Sequence, residues 1–225
     1  MQATPRRSRD TVRWSTIAVA AIVALAFPVR AQDDAYHYFK ERRILKLDAK
    51  RLAMTTSRDA EATRDLIERT LAARVARVSR WFGKDALLVE FMEPLADRAA
   101  VVRAIEFLAK NGAFDFISPV FSDAPGRPIT LSRDTLARAV NPSESAAAVE
   151  AIDAHWTGTI EDHAFGDMEH AYRLRTAHRN GFSALAETNA LAGHSAFMFA
   201  EPDFVACADP CLIPNDPLFA GQWAL

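Results

Sequence analysis

The apolar positions of this chain fall into two rhythms, one of period two and one of period 3.6, which alternate along it. Ile44-Leu45-Lys46-Leu47 alternates as a strand does, and Arg51 to Thr55 continues it. Asp59 is placed to cap a helix in which Ala62, Leu66, Ile67 and Leu71 recur at helical spacing. Arg77 to Phe82 and Ala86 to Phe91 then read as strands around the turn Gly83-Lys84-Asp85. Asp97 opens a second helix with Val101, Ile105 and Leu108 on one face, and Asn111-Gly112 closes it. Phe114 to Ile117 is a strand that Ser118-Pro119 ends. Residues 33–43 carry Tyr36, Tyr38 and Phe39 in a polar lead-in to which no element is assigned.

Asp123-Ala124-Pro125-Gly126-Arg127-Pro128 breaks both rhythms, since two prolines and a glycine in six residues continue neither a helix nor a central strand. The pattern then restarts. Ile129 to Val140 is a strand, and Asn141-Pro142-Ser143-Glu144 is a helix start with Asn as N-cap, Pro at N1 and Glu at N3. Val149, Ile152 and Trp156 give that helix its apolar stripe, and Thr157-Gly158 ends it. Thr159 to Phe165 and Glu169 to Thr176 are strands around Gly166-Asp167, Gly181 to Leu191 is a second helix, and Ala196 to Phe199 is the last strand. Trp81, Trp156 and the phenylalanines at 91, 107, 114, 116, 197 and 199 are expected in the core.

The two halves align. Ala113 to Phe121 (AFDFISPVF) matches Ala196 to Phe204 (AFMFAEPDF) at a constant offset of 83 residues. Each half has the order strand–helix–strand–strand–helix–strand, the split βαβ arrangement of a four-stranded antiparallel sheet with two helices on one face. The expected fold is therefore α+β, two tandem ferredoxin-like (βαββαβ) units of about 80 residues each. A sheet with helices on one face leaves its other face in need of cover, from the other unit or from a partner.

The N-terminus alters the charge. Arg6, Arg7, Arg9 and Arg13 precede the apolar stretch Trp14 to Phe27, and Val29-Arg30-Ala31 puts small residues where a signal peptidase reads, predicting cleavage after Ala31. The run is shorter than the roughly 20 residues of a membrane span, which favours a signal peptide over the alternative, an uncleaved anchor. Residues 1–31 take five of 27 basic and one of 29 acidic residues, so the remainder holds 22 and 28, a net charge near −6. That balance argues against nucleic acid or an anionic membrane as partner. The expected segments are a signal peptide (1–31), a first unit (32–123), a linker (124–128), a second unit (129–209) and a tail (210–225).

In an exported chain Cys207 and Cys211, four apart across Asp209-Pro210, are candidates for a small disulfide loop; two free thiols are the alternative. Glu161, Asp162, His163, Asp167, Glu169 and His170 form the densest polar cluster. Their spacing fits no specific metal site and suits a solvated hairpin tip better. Gly181-Phe182-Ser183-Ala184-Leu185 lacks the second glycine of a nucleophile elbow, so Ser183 reads as a first-turn helix residue. Gly193-His194-Ser195 reads as a helix-to-strand turn, and no glycine-rich phosphate loop is present. Neither a metal nor a cofactor is expected.

Two C-terminal segments carry a family resemblance. Phe199-Ala200-Glu201-Pro202-Asp203-Phe204-Val205 resembles the AEPDF/Y that ends the propeptide of subtilisin-like serine peptidases. Pro214-Asn215-Asp216-Pro217-Leu218-Phe219 and Gln222-Trp223-Ala224-Leu225 resemble the PNDPLF..QW.L that begins the catalytic domain. The tandem units before them are similar to the long propeptides of fervidolysin-type members. The resemblance implies a partner, a subtilisin-like peptidase domain in cis or in trans, which such a propeptide helps to fold and then inhibits. It implies that the sheet packs on two surface helices of the peptidase and that a tail lies substrate-like in the cleft. Asp203, Phe204, Val205, Ala206, Cys207, Asp209, Leu212 and Ile213 are the matching tail and processing region. The cysteine pair departs from a plain extended tail. The catalytic Asp, His and Ser motifs would follow Trp223, so none is expected within these residues and the chain is not expected to hydrolyse peptides. The stop at Leu225 makes a truncated or fragmentary peptidase precursor the competing expectation; an extracytoplasmic binding protein is a third.

Overall fold

The computed structural model describes residues 34–57, 59–71, 74–81, 86–110, 114–122 and 127–206. The proposed signal peptide, Cys207, Asp209, Cys211, Leu212, Ile213 and the segment from Pro214 to Leu225 lie outside the described residues, as does most of the expected linker. The chain is a mixed α/β protein. A hairpin of β1 (Ala35–Tyr38) and β2 (Glu41–Ile44) leads into β3 (Lys46–Thr55), α1 (Ala60–Leu71), β4 (Val75–Arg80), β5 (Ala86–Phe91), α2 (Arg98–Lys110) and β6 (Phe116–Ser122). After the break come β7 (Pro128–Ala139), α3 (Ser145–His155), β8 (Thr159–Asp162), β9 (Ala171–Arg175), α4 (Gly181–Gly193) and β10 (Phe197–Ala206).

Local chemistry accounts for the element ends. Asp59 Oδ2 accepts from the Ala62 amide at 2.9 Å and Asp97 Oδ1 from the Ala100 amide at 2.7 Å, the caps expected of both aspartates. Asn141 Oδ1 accepts from the Glu144 amide at 3.1 Å, starting a 3₁₀ turn at 142–144 that runs into α3. Val101, Ile105 and Leu108 are buried along one stripe of α2, and Leu87, Val89 and Phe91 alternate inward along β5.

The strands from β3 to β10 form one sheet, in which β4-β5-β3-β6-β7-β9-β8 are neighbours in that order and β10 pairs the other edge of β7. All the strand pairs are antiparallel. The first half reads β4-β5-β3-β6 across the sheet and the second β8-β9-β7-β10, so the fourth strand of each half flanks its first. Their registers coincide. Phe116, Ile117, Ser118 and Pro119 pair Thr55, Met54, Ala53 and Leu52, while Phe199, Ala200, Glu201 and Pro202 pair Arg138, Ala137, Leu136 and Thr135. Both partners are displaced by 83 residues (199 − 116 and 138 − 55). Helices α2 and α4 start and end at the same offset. The register breaks just beyond each proline.

These prolines correct the sequence reading of where strands stop. Ser118-Pro119 does not end β6, and the last strand does not stop at Phe199; both strands run on through their prolines for several residues. Proline supplies no ladder N–H, and beside an irregular register its absence is tolerated. At Ser118, Oγ takes over, accepting from the Leu131 amide at 2.8 Å just before backbone pairing to β7 begins at Val120–Thr130.

The helices cover one face. Ile67, Val101, Ile105 and Leu108 pack with Leu52, Met54, Leu87 and Val89 in a first core; Ala148, Ala151, Ile152 and Trp156 pack with Ala137, Tyr172, Leu174 and Phe197 in a second. Helix α4 joins them, with Phe182, Ala184 and Leu185 in the first core and Leu191 and Ala192 in the second. At its start Gly181 lies so close to β6 that a Cβ there would be 2.6 Å from the Pro119 ring. The hairpin β1–β2, to which the sequence reading assigned no element, packs beside β10 and α4: Tyr36 meets the Phe204 ring edge-on at 4.8 Å, and Asn189 Nδ2 donates to the Ala35 carbonyl at 2.7 Å.

Candidate functional site

Alternation along β7 defines the helix-free face. Thr135 shares a 2.6 Å hydrogen bond with Thr188 of α4 and Ala137 sits in the second core, so Leu136 and its even-numbered neighbours point the other way. That face carries Thr130, Ser132, Asp134, Leu136 and Arg138 from β7, with Arg173 paired to Leu136 and Phe199 to Arg138. Leu136, Arg138, Arg173 and Phe199 are half-buried, an amphipathic surface that no helix of the described residues covers.

Where the two halves meet, this face sinks into a groove of about 450 Å³ lined by Ala53, Trp81, Ser118, Thr130, Ser132, Asp134, Arg175, Asp203 and Val205, among others. Trp81, expected in the core, instead lines this groove half-buried and donates its indole N–H to Thr130 Oγ1 at 3.1 Å. Asp203 accepts from Ser132 Oγ at 2.8 Å, and Ser132 Oγ in turn accepts from the Asp134 amide at 2.9 Å. Arg175 grips Asp134 through two bonds of 2.9 and 3.1 Å, with Glu161 at 3.6 Å. The hydrogen bond to Asp134 holds the Arg175 guanidinium above its ordinary pKa. Of the charged groups that line the groove, Asp134 and Arg175 are committed to each other, Asp203 to Ser132 and Arg133 to the Thr176 carbonyl.

Four of the eight residues matched to a substrate-like tail are described, and they continue the sheet. Phe204, Val205 and Ala206 pair Leu131, Thr130 and Ile129 of β7, and Asp203 is fixed by Ser132. The hairpin turn holds the same strand from outside. The Phe39 amide donates to Glu201 Oε1 at 3.1 Å, and the Phe39 and Phe199 ring centroids lie 5.2 Å apart. Lys40 Nζ donates to the Ala192 and His194 carbonyls at 2.8 and 3.2 Å, at the C-terminal end of α4 where a cation suits the helix dipole. Burial raises the Glu201 carboxyl above its ordinary value, opposed by the Phe39 N–H, and burial lowers the Lys40 amine.

The polar cluster at 161–170 does not converge. Among the described residues no group of three or more His, Cys, Asp and Glu side chains is placed to hold a metal ion. Part of it enters an unforeseen arrangement: Ser145 Oγ shares hydrogen bonds with Tyr172 Oη at 2.8 Å and His170 Nδ1 at 3.1 Å, tying the start of α3 to β9. No local spacing marks this set, because its members stand 25 and 27 residues apart. Ser183 lies in the first turn of α4, whose cap is Asn180, accepting from the Phe182 amide at 2.9 Å. Phe107 is a further correction: expected in the core, it is 55% exposed on α2. No protein-family model and no curated protein matches the chain.

Proposed function

We propose that the chain is an exported, propeptide-like module of a subtilisin-like serine peptidase, built of two tandem ferredoxin-like units. It acts as folding helper and inhibitor of the peptidase domain by docking the helix-free face of its sheet. The carrying observation is the repeated register: the fourth strand of each half pairs the first through the same four positions, 83 residues apart, with a register break beyond each proline. Strand orders β4-β5-β3-β6 and β8-β9-β7-β10, with two helices per half on a common face, are those of a βαββαβ unit and leave one broad face for a partner. The segments matching AEPDF and PNDPLF..QW.L supply the choice of partner. On this reading the substrate-like tail begins beyond Ala206, since Asp203 to Ala206 belong to β10. On this reading residues 32–225 assist the hydrolase.

The test is to refold a denatured subtilisin-like peptidase with and without the purified chain and then follow its proteolysis rate. The reading expects a higher refolded yield and a slowed rate. If neither quantity changes, the proposal fails.

A further inference from the structure

On the helix side of the first half, the last turn of α1, Arg74 just before β4 and the outer flank of α2 line a cleft of about 450 Å³. Its walls are Leu71, Phe91, Leu95, Ala100, Ala104 and Phe107, with Thr70, and its charged lining is Arg74 and Arg103. Phe107 leaves 55% of its surface exposed there. Both arginines are exposed, and neither makes an ion pair among the described residues. An exposed aromatic wall is unfavourable in water, and unpaired guanidinium groups beside it favour a carboxylate that can be bound by both. An apolar cleft of this size with two charged groups in its lining has the dimensions of a small-molecule site.

We propose that this cleft binds an amphipathic monoanion, a medium-chain alkyl carboxylate. Its chain lies against Leu71, Leu95 and Phe107, and its carboxylate is held by Arg74 and Arg103. Charge complementarity selects this occupant: among the described residues no acidic side chain lines the cleft, so a cationic amphiphile of equal tail gains the apolar contacts and meets repulsion at the head. The site lies on the helix-covered side, and the proposal does not depend on the propeptide reading.

The test is calorimetric titration of the full chain with sodium octanoate, with acetate and octyltrimethylammonium as controls, alongside thermal melts. Saturable binding of octanoate with a raised Tm is expected, and little response to either control. Replacing both arginines (Arg74→Ala with Arg103→Ala) should weaken octanoate binding at least about tenfold, given what a charge-assisted hydrogen bond contributes. Both positions are exposed, so the double variant should melt as the parent does without ligand. Ala104→Trp, which fills the cleft, should abolish binding while leaving the arginines in place. Absence of octanoate binding, an equal response to the cationic amphiphile, or unchanged affinity in the double arginine variant would overturn the proposal.

Discussion

The two halves of the sheet have the same strand order and, through their paired first and fourth strands, the same register, yet they fill their cores differently. Among the described residues, one of nineteen buried in the first core is alanine; in the second, seven of thirteen are. The first half therefore packs large side chains such as Phe121, Leu52 and Ile105 from widely exposed helices: α1 buries only Thr63 and Ile67 between residues 61 and 70. The second half packs α3 and α4 on the strands through Ala137, Ala148, Ala151 and Ala192, with Trp156, Tyr172 and Phe197 as its bulk. One topology thus tolerates two packing solutions, as expected where volume and patterning, rather than residue identity, specify a core. Helix α4 couples them, because its first turn serves one core and its last turn the other.

That contrast is open to attack from either side. The largest effect is expected from Phe121→Ala, which empties a fully buried site packed edge-on against Phe182 at 6.3 Å. Denaturant melts should show a loss of about 3–5 kcal/mol. Ala148→Leu, at a site with no exposure in the second core, should cost about 1–3 kcal/mol by overpacking; a gain in stability would mean the alanine-rich core is loosely filled. Gly181→Ala should cost a similar amount, roughly 1–3 kcal/mol, because the added carbon meets the Pro119 ring. Gly193→Ala, with nothing within 4 Å, serves as its control and should be neutral or stabilising.

The smallest effect is one of pH. Burial raises the folded-state pKa of Glu201 above its ordinary value of 4.5, so its contribution to stability is present below that value. The contribution is lost as pH rises through the folded-state pKa. Glu201→Gln keeps an acceptor for the Phe39 amide and removes the charge, so Tm plotted from pH 4.5 to neutral should fall less in the variant than in the parent. Parallel curves would show that Glu201 plays no such part.

What was legible in the sequence was local or periodic. The caps at Asp59, Asp97 and Asn141, the alternation of β5 and the stripe of α2 each follow from a few adjacent residues. The offset of 83 reached further, from one strand pair to another. The hairpin β1–β2 escaped because its turn uses Phe39 and Lys40 at φ 47° and 77°, left-handed backbone that normally calls for glycine or asparagine. The full lengths of β6 and β10 were hidden by prolines whose missing N–H is harmless only beside a register break. The groove was illegible for a different reason: Ala53, Trp81, Ser118, Thr130 and Asp203 come from strands of both halves, and nothing local links them.

Docking of the helix-free face on a peptidase, as proposed above, is tested by comparing two faces in one inhibition assay. Leu136→Asp places a charge in the middle of the helix-free face, whereas Glu68→Lys alters the exposed flank of α1. Inhibition constants of the parent and both variants would be measured against a subtilisin-like peptidase. Inhibition by the parent is expected, weakened by about tenfold or more in Leu136→Asp as for a desolvated unpaired charge, and unchanged in Glu68→Lys. Equal inhibition by all three proteins, or by none, would contradict that docking.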